Sequence, residues 1–318
     1  MAKKARTAKK AGSAKKARNA KKARNAKAPG DVPLRRNCGT MAVHMMLLEQ
    51  FPAFRARQFK LEQDTAKRRA APVSRATVKI VTVKVVVNVV YHTKAQNISD
   101  AQIKSQIAAL NRDFSAKNPD KSKVPAPWQG FVTDAKIQFK LQKTTRTQTA
   151  VASFSQDNGV KNPSAGGVAP FQPQKHLNFW VCPLGGGLLG YAQFPGGPAV
   201  TDGVVINYMA FGTTGTAESP FNLGRTATHE VGHYFNLRHI WGDTEDCSGS
   251  DMVADTPNCA GPNFQKPTFP IVTCNNGPNG DMFMNYMDYV DDDTMFLFTS
   301  QQVMRMRTAL EGPRSGLA

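Results

Sequence analysis

No apolar run in this chain comes near the roughly 18–20 residues of a membrane-spanning helix. The longest, Ile80 to Tyr91, is interrupted by Lys84, which excludes a helical span and leaves a buried strand as the reading. The positively charged N-terminus is not followed by an apolar segment, so no secretory signal peptide is expected there. Cysteine is scarce. The five are Cys38, Cys182, Cys247, Cys259 and Cys274, none in a CxxC pair, which argues against a structural zinc ribbon. An odd count leaves at least one thiol unpaired, and Cys38 is the expected one. Acidic residues are also short: 23 against 41 Lys and Arg, a net charge of +18 in 318 residues. That length is ample for one large domain or two.

Much of the charge excess sits in one place. Residues 2–27 repeat AKKAR-like units with a period near six, carrying twelve basic residues and no acidic one. So dense a like-charge block cannot bury a core. It has the chemistry of an arm for nucleic acid or another polyanion, acting by phosphate neutralisation and counterion release. A solvated basic tail without a specific partner is the other reading. The repeat lacks aromatic residues, so base stacking is excluded.

The informative stretch runs from Thr226 to His239, TATHEVGHYFNLRH. On a helix, His229 and His233 emerge from one face, one turn apart, and two ring nitrogens can meet a metal at about 2.0–2.1 Å, zinc being the usual occupant. Glu230 lies too far round to ligate but close enough to touch a metal-bound water, which makes it the candidate general base of a hydrolase. A continuing helix would carry His239 about 9 Å along the axis. His239 reaches the same metal only if the chain turns sharply after His233. Asn236 stands where the long motif HExxHxxGxxH has Gly, and Asn is the residue best able to replace Gly at positive φ. HExxH alone arises by chance in roughly one chain of this length in a hundred; a third His so placed makes chance far rarer.

This motif resembles that of the metzincin zinc peptidases, whose second hallmark is a Met-containing turn, here Asn285-Tyr286-Met287-Asp288-Tyr289. HEVGHYFNLRHIWGD, VADTP and GPNGDMFMNYMDY together are similar to the pappalysin family, and the resemblance extends from about Arg35 to the C-terminus. It implies an α/β (α+β) metzincin-like domain with a twisted, mixed five-stranded sheet and two long helices, followed by a smaller irregular C-terminal subdomain. The expected division is a basic tail (1–30), a prosegment (31–75), an N-terminal catalytic subdomain with the zinc helix (76–240) and a C-terminal subdomain with the Met-turn (241–318). It implies a zinc endopeptidase acting on protein or peptide substrates, and an extracellular location that sits awkwardly with the absent signal peptide. His229, His233 and His239 would hold zinc, Met287 would floor the site, and Tyr289 would assist at the oxyanion. Cys38 would block the open zinc position of a latent form. Asp293 would line the pocket for the residue after the cut and favour Arg or Lys. Lys67 to Arg75 reads as an exposed linker and activation site. The opposing class is a polyanion-binding protein with a vestigial peptidase domain, against which the intact His set and Glu230 speak.

Residue patterns place further elements. A helical pattern runs from Leu34 to about Glu62 with Met41, His44, Met45, Leu48 and Phe51 on its spacing. A strand is expected over Thr77–Tyr91, a Ser99-capped helix to about Phe114 with Ile103, Ile107 and Leu110 inward, and strands over Asp134–Lys143, His176–Cys182 and Gly203–Asn207. The Gly-rich run Gly185–Gly197 has no GKS/T and no following helix, which excludes a phosphate cradle; the resemblance makes it the edge strand above the cleft. Asp243, Asp246, Asp251, Asp255 and Thr256 form an acidic loop, and Asp251, Asp255 and Thr256 are candidate calcium ligands. Cys247 and Cys274 enclose it and are the expected disulfide, while Cys182 and Cys259 have no assigned partner.

Overall fold

The computed structural model describes residues 33, 35–71 and 79–318. The basic repeat 2–27 and the stretch 72–78, which includes residues 72–75 of the expected linker, lie outside the described residues.

A five-stranded sheet forms the centre. Its strands are β1 (Val81–Tyr91), β2 (Ile137–Gln148), β3 (Leu177–Cys182), β4 (Gly190–Ala192) and β5 (Val204–Asn207), in the order β2-β1-β3-β5-β4. All neighbours are parallel except β4, which runs antiparallel to β5 at the edge. The valine run of β1 is central and covered on both faces, with Val83, Val85, Val86, Val87, Val89 and Val90 fully buried, as expected of an inner parallel strand. Lys84 faces solvent.

Two α-helices precede the sheet: α1 (Thr40–Gln50) and α2 (Pro52–Ala70). The sequence pattern suggests one helix here, with Met45 and Phe51 on its face, but both are exposed. Pro52 disfavours helical geometry at Phe51 and removes a donor, so the helix breaks there. The inward stripe is Val43, His44 and Leu47 in α1, then Phe54, Gln58, Leu61 and Thr65 in α2. The first part of the expected linker, Lys67 to Ala70, is the last turn of α2, where basic residues favour the helix C-terminus. Arg68 pairs there with Glu311.

α3 (Asp100–Phe114) is capped by Ser99, whose hydroxyl accepts from Gln102 N, and buries Ile103, Ile107 and Leu110 as its spacing indicates. α4 (Arg225–Tyr234) carries the HExxH stretch and is buried along its whole length. Beyond it the chain is irregular apart from a two-stranded pair, β6 (Phe264–Gln265) and β7 (Tyr289–Val290), and α5 (Ser300–Glu311). The Cys247–Cys274 disulfide closes the loop between α4 and the Met-turn; Cys38, Cys182 and Cys259 are free thiols.

Candidate metal centre and active site

α4 stops at Tyr234 because Asn236 takes φ +78°. In this left-handed turn Leu237 N bonds back to Gly232 O at 2.9 Å, and His239 returns toward the helix. The three Nε2 atoms of His229, His233 and His239 converge to 3.0–3.2 Å of one another. Three nitrogens around one tetrahedral zinc at 2.0–2.1 Å would lie about 3.4 Å apart. Each Nδ1 is already engaged: His229 with Tyr286 O and His233 with Leu237 O, both at 2.7 Å, and His239 with the Asp243 carboxylate. Those bonds fix the tautomer and aim three bare Nε2 lone pairs at one point. Burial and mutual proximity hold His229 and His233 well below the usual histidine range, so those two rings stay neutral. Three lone pairs facing each other repel unless a cation joins them; the donor set fits zinc.

The floor is Met287, fully buried beneath α4. A Cβ on Gly232 would stand 2.4 Å from its sulfur, so only glycine lets the Met-turn approach the helix this closely. Trp241 stacks on His239 at 4.3 Å with 8° between the rings, and Tyr289 stands edge-on to His239 at 4.9 Å.

A family model described as pregnancy-associated plasma protein-A, a peptidase family, matches residues 170–311. An extracellular metalloprotease of Arthroderma benhamiae is 32% identical over 243 residues, 74% of this chain and 80% of that protein. One from Pyricularia oryzae is 34% identical, with 69% and 70% covered. The chain belongs to the pappalysin family of metallopeptidases. Among solved structures, mature mirolysin of Tannerella forsythia with a cleaved peptide shares 47% identity at a TM-score of 0.74, covering 76% of this chain and 96% of that one. A point mutant of promirolysin, the precursor form, shares 42% identity at 0.79 and covers 89% and 97%. The added coverage of the precursor accords with a pappalysin zymogen. The chain is a zinc-dependent endopeptidase made in latent form, with the expected sheet and helices.

The arm ahead of the sheet enters this pappalysin cleft. Asn37 O accepts from Leu189 N at 3.0 Å and Gly39 N donates to Gly190 O at 2.9 Å, so the arm pairs along the free edge of β4. Cys38 joins the three histidines in the one His/Cys/carboxylate cluster of metal-binding geometry among the described residues, their ligand atoms lying within 4.8 Å of each other. Its sulfur is 3.4 Å from Glu230 Oε2. Burial, then the Glu230 charge, pushes the Cys38 thiol well up, and burial lifts Glu230 to about 7 despite hydrogen bonds from Thr40 and Cys38.

Asp293 departs from expectation. It lies near the surface and pairs with Lys266. Its neighbour Asp292 is fully buried and faces inward. Asp292 Oδ2 accepts from Leu223 N and Arg225 N at the start of α4, and Oδ1 takes the Arg36 guanidinium at 2.7 Å. Arg36 also donates to Thr226 Oγ1 at 3.0 Å and Val290 O at 3.3 Å, over the Phe221 ring. Nothing in the order of three aspartates tells which one turns in.

Sequence reasoning also placed Asp243 in the acidic loop, whereas it orients His239. In that loop Thr256 donates to Asp251 at 2.6 Å, while Asp255 accepts from Thr299, Ser300 and Gln301 around the N-terminus of α5. Arg36, Thr40 and Trp241 gave no sequence signal. Their partners lie across long stretches of chain, or in the case of Trp241 depend on the turn at Asn236.

Proposed function

We propose that Glu230 is the general base of this peptidase, with His229, His233 and His239 as its zinc ligands. The carrying observation is that Glu230, next to His229 on α4, lies 3.4 Å from the Cys38 sulfur that clusters with the three convergent imidazoles. In the covered form burial lifts its carboxyl to about 7, and a carboxylate held there serves as a base near neutral pH. Zinc, when bound, supplies Lewis acidity that polarises an oxygen. Glu230 Oε2 takes the proton of the attacking water and returns it to the leaving amine. Tyr289, edge-on beside His239, is placed in this reading to donate its hydroxyl to the developing oxyanion. Met287, packed against Gly232, keeps the floor dry and apolar, and Asn236 makes the turn that brings His239 in.

Residues 31–75 act in this reading as the prosegment, with Cys38 as the thiol that takes the open zinc position. The specificity role expected of Asp293 passes to Asp292. Its support is Arg36, a basic side chain of the chain itself already bound there by a charge-assisted pair. A substrate Arg or Lys following the cut would replace Arg36 once the prosegment leaves.

Three further elements belong to the proposal. Extracellular action rests on the naming of the relatives. Calcium at Asp251, Asp255 and Thr256 is supported by Asp251, a buried carboxylate pushed up to about 7 by that burial, with only Thr256 and Val253 N donating to it; a divalent cation would relieve that burden. Polyanion contact through residues 2–27 rests on charge density alone.

Glu230→Gln should retain zinc yet lose peptide hydrolysis, since the ligands survive and the base does not. Metal analysis and a quenched-peptide assay on the processed protein check it. More than a few per cent of activity remaining would sink the base assignment.

A further inference from the structure

We infer that Thr40 is a second latch of the zymogen, one that disables the general base independently of the thiol; this rests on the reading of Glu230 as that base. The arm pairs with the β4 edge through Asn37 and Gly39, then leaves the edge as α1 begins at Thr40. Ala192 N would lose its acceptor there. The Thr40 hydroxyl replaces it, accepting from Ala192 N at 2.8 Å and donating to Glu230 Oε2 at 2.7 Å. One hydroxyl thus bridges the edge strand and the catalytic carboxylate. Thr40 is fully buried and Glu230 nearly so, so the bond is not exchanged with water.

The contact has a chemical consequence. A carboxylate oxygen that already accepts a short hydrogen bond has a lone pair engaged and is sterically occupied by the donor. The bridge also fills the gap between the Ala192 N–H and Glu230 that a water or substrate group needs. Cys38 also donates to that oxygen, at 3.4 Å, but a thiol is the weaker donor, it does not reach Ala192 N, and its sulfur clusters with the histidines. Two adjacent functions of the site, metal and base, are therefore blocked by two different residues two positions apart. The device requires a hydroxyl. Val is isosteric with Thr but can neither accept from Ala192 N nor donate to Glu230, whereas Ser keeps both bonds.

The test uses the full-length zymogen. Wild type, Thr40→Val, Thr40→Ser, Cys38→Ala and Cys38→Ala/Thr40→Val are purified, and the lag before peptide hydrolysis is timed at one concentration. Thr40→Val should shorten the lag roughly ten- to a hundredfold with Cys38 intact, the worth of one hydrogen bond to a charged group. Thr40→Ser should stay within about threefold of wild type. Cys38→Ala should keep a residual lag that the added Thr40→Val removes. Denaturant unfolding of the zymogen supplies a readout that does not depend on catalysis: the loss caused by Thr40→Val should shrink about tenfold, as an equilibrium constant, in a Glu230→Ala background. If Thr40→Val fails to fold, Thr40→Ala replaces it throughout. Equal lags for Thr40→Val and wild type overturn the latch, as do equal lags for Thr40→Val and Thr40→Ser, or thermodynamic coupling without any change in lag. Activity in Glu230→Gln would instead overturn the base assignment and leave the measured coupling standing.

Discussion

Replacing Arg36 tests whether the prosegment occupies the specificity pocket as a substrate would. Its guanidinium makes three hydrogen bonds, and the pair with Asp292 has side-chain exposures of 1% and 0%. Which replacement is chosen sets the size of the effect. Arg36→Met fills the pocket with an apolar chain and leaves the Asp292 carboxylate desolvated beside it. Breaking a buried pair in that way costs about 3–5 kcal/mol, or roughly two to nearly four orders of magnitude in the docking equilibrium. Arg36→Ala opens space for water, which solvates Asp292, so the loss should fall to that of a charge-assisted hydrogen bond, about 1.5–3 kcal/mol. Arg36→Lys keeps the charge but cannot fork between Asp292 and Thr226, and should lie between Arg36→Ala and wild type. The assay is the lag of purified full-length protein before peptide hydrolysis, with hydrogen exchange across α1 as a measure of docking. The expected order of latency is wild type, Lys, Ala, Met. A zymogen carrying Arg36→Met that stays as latent as wild type would refute the pocket assignment. Met no worse than Ala would refute the desolvation argument while leaving the pocket intact.

In the processed enzyme, Asp292→Asn should keep the acceptor for Leu223 N and Arg225 N but lower selectivity for Arg or Lys after the cut about ten- to a hundredfold in kcat/KM; product sequencing from a peptide library decides it, and Asp293→Asn should leave the preference alone. Calcium added to chelator-treated, zinc-reloaded protein should raise Tm, and Asp251→Asn should abolish that rise; an equal rise in the variant would remove the loop from consideration. Deleting residues 2–27 should remove duplex DNA binding and leave peptide hydrolysis unchanged. Wild-type binding should fall steeply between about 50 and 200 mM salt, and a salt-insensitive curve would refute the electrostatic arm.

The elements that position the metal were legible because their signals are local. His229 and His233 share a helix face by spacing, Asn236 marks its own turn, and Ser99 caps its own helix. The valine-rich run of β1 and the alternation of Ile137 and Phe139 declared strands for the same reason. The substrate-facing part of the site was not legible in this way. Asp292 turns inward because it caps α4 from 67 residues away at Arg225, a constraint invisible within Asp291-Asp292-Asp293. Thr40 meets Glu230 across 190 residues. The arm misled too: continuous helical spacing over Leu34–Glu62 hid the break at Phe51-Pro52, and with it the true buried stripe. Local codes predict the convergence of the three histidines; only assembly brings Asp292 and Thr40 to their partners.

The arm does not rely on the cleft alone for its hold. On α2, Glu62 forms a bidentate pair with Arg305 of α5, at 2.7 and 2.9 Å, and accepts from Asn236 Nδ2 at 3.2 Å, while Arg305 Nε donates to Asn236 O. Arg305 is only 2% exposed. The turn that brings His239 to its partners is thus braced by a carboxylate from the segment proposed as the prosegment. Loss of that segment would uncover Arg305 and leave Asn236 Nδ2 without its Glu62 acceptor. On the proposed reading it would also free Asp292 and Glu230 to meet substrate. The charges that the arm engages at Asp292 and Glu230 are, on that reading, the ones substrate would meet. Arg305 also donates to Asn236 O, so its pair with Glu62 ties the arm to the turn and not to the cleft. A cut peptide would, on the same proposed reading, fill the cleft but offer no carboxylate to Arg305, so the Glu62 pair would hold the arm by a contact that product lacks.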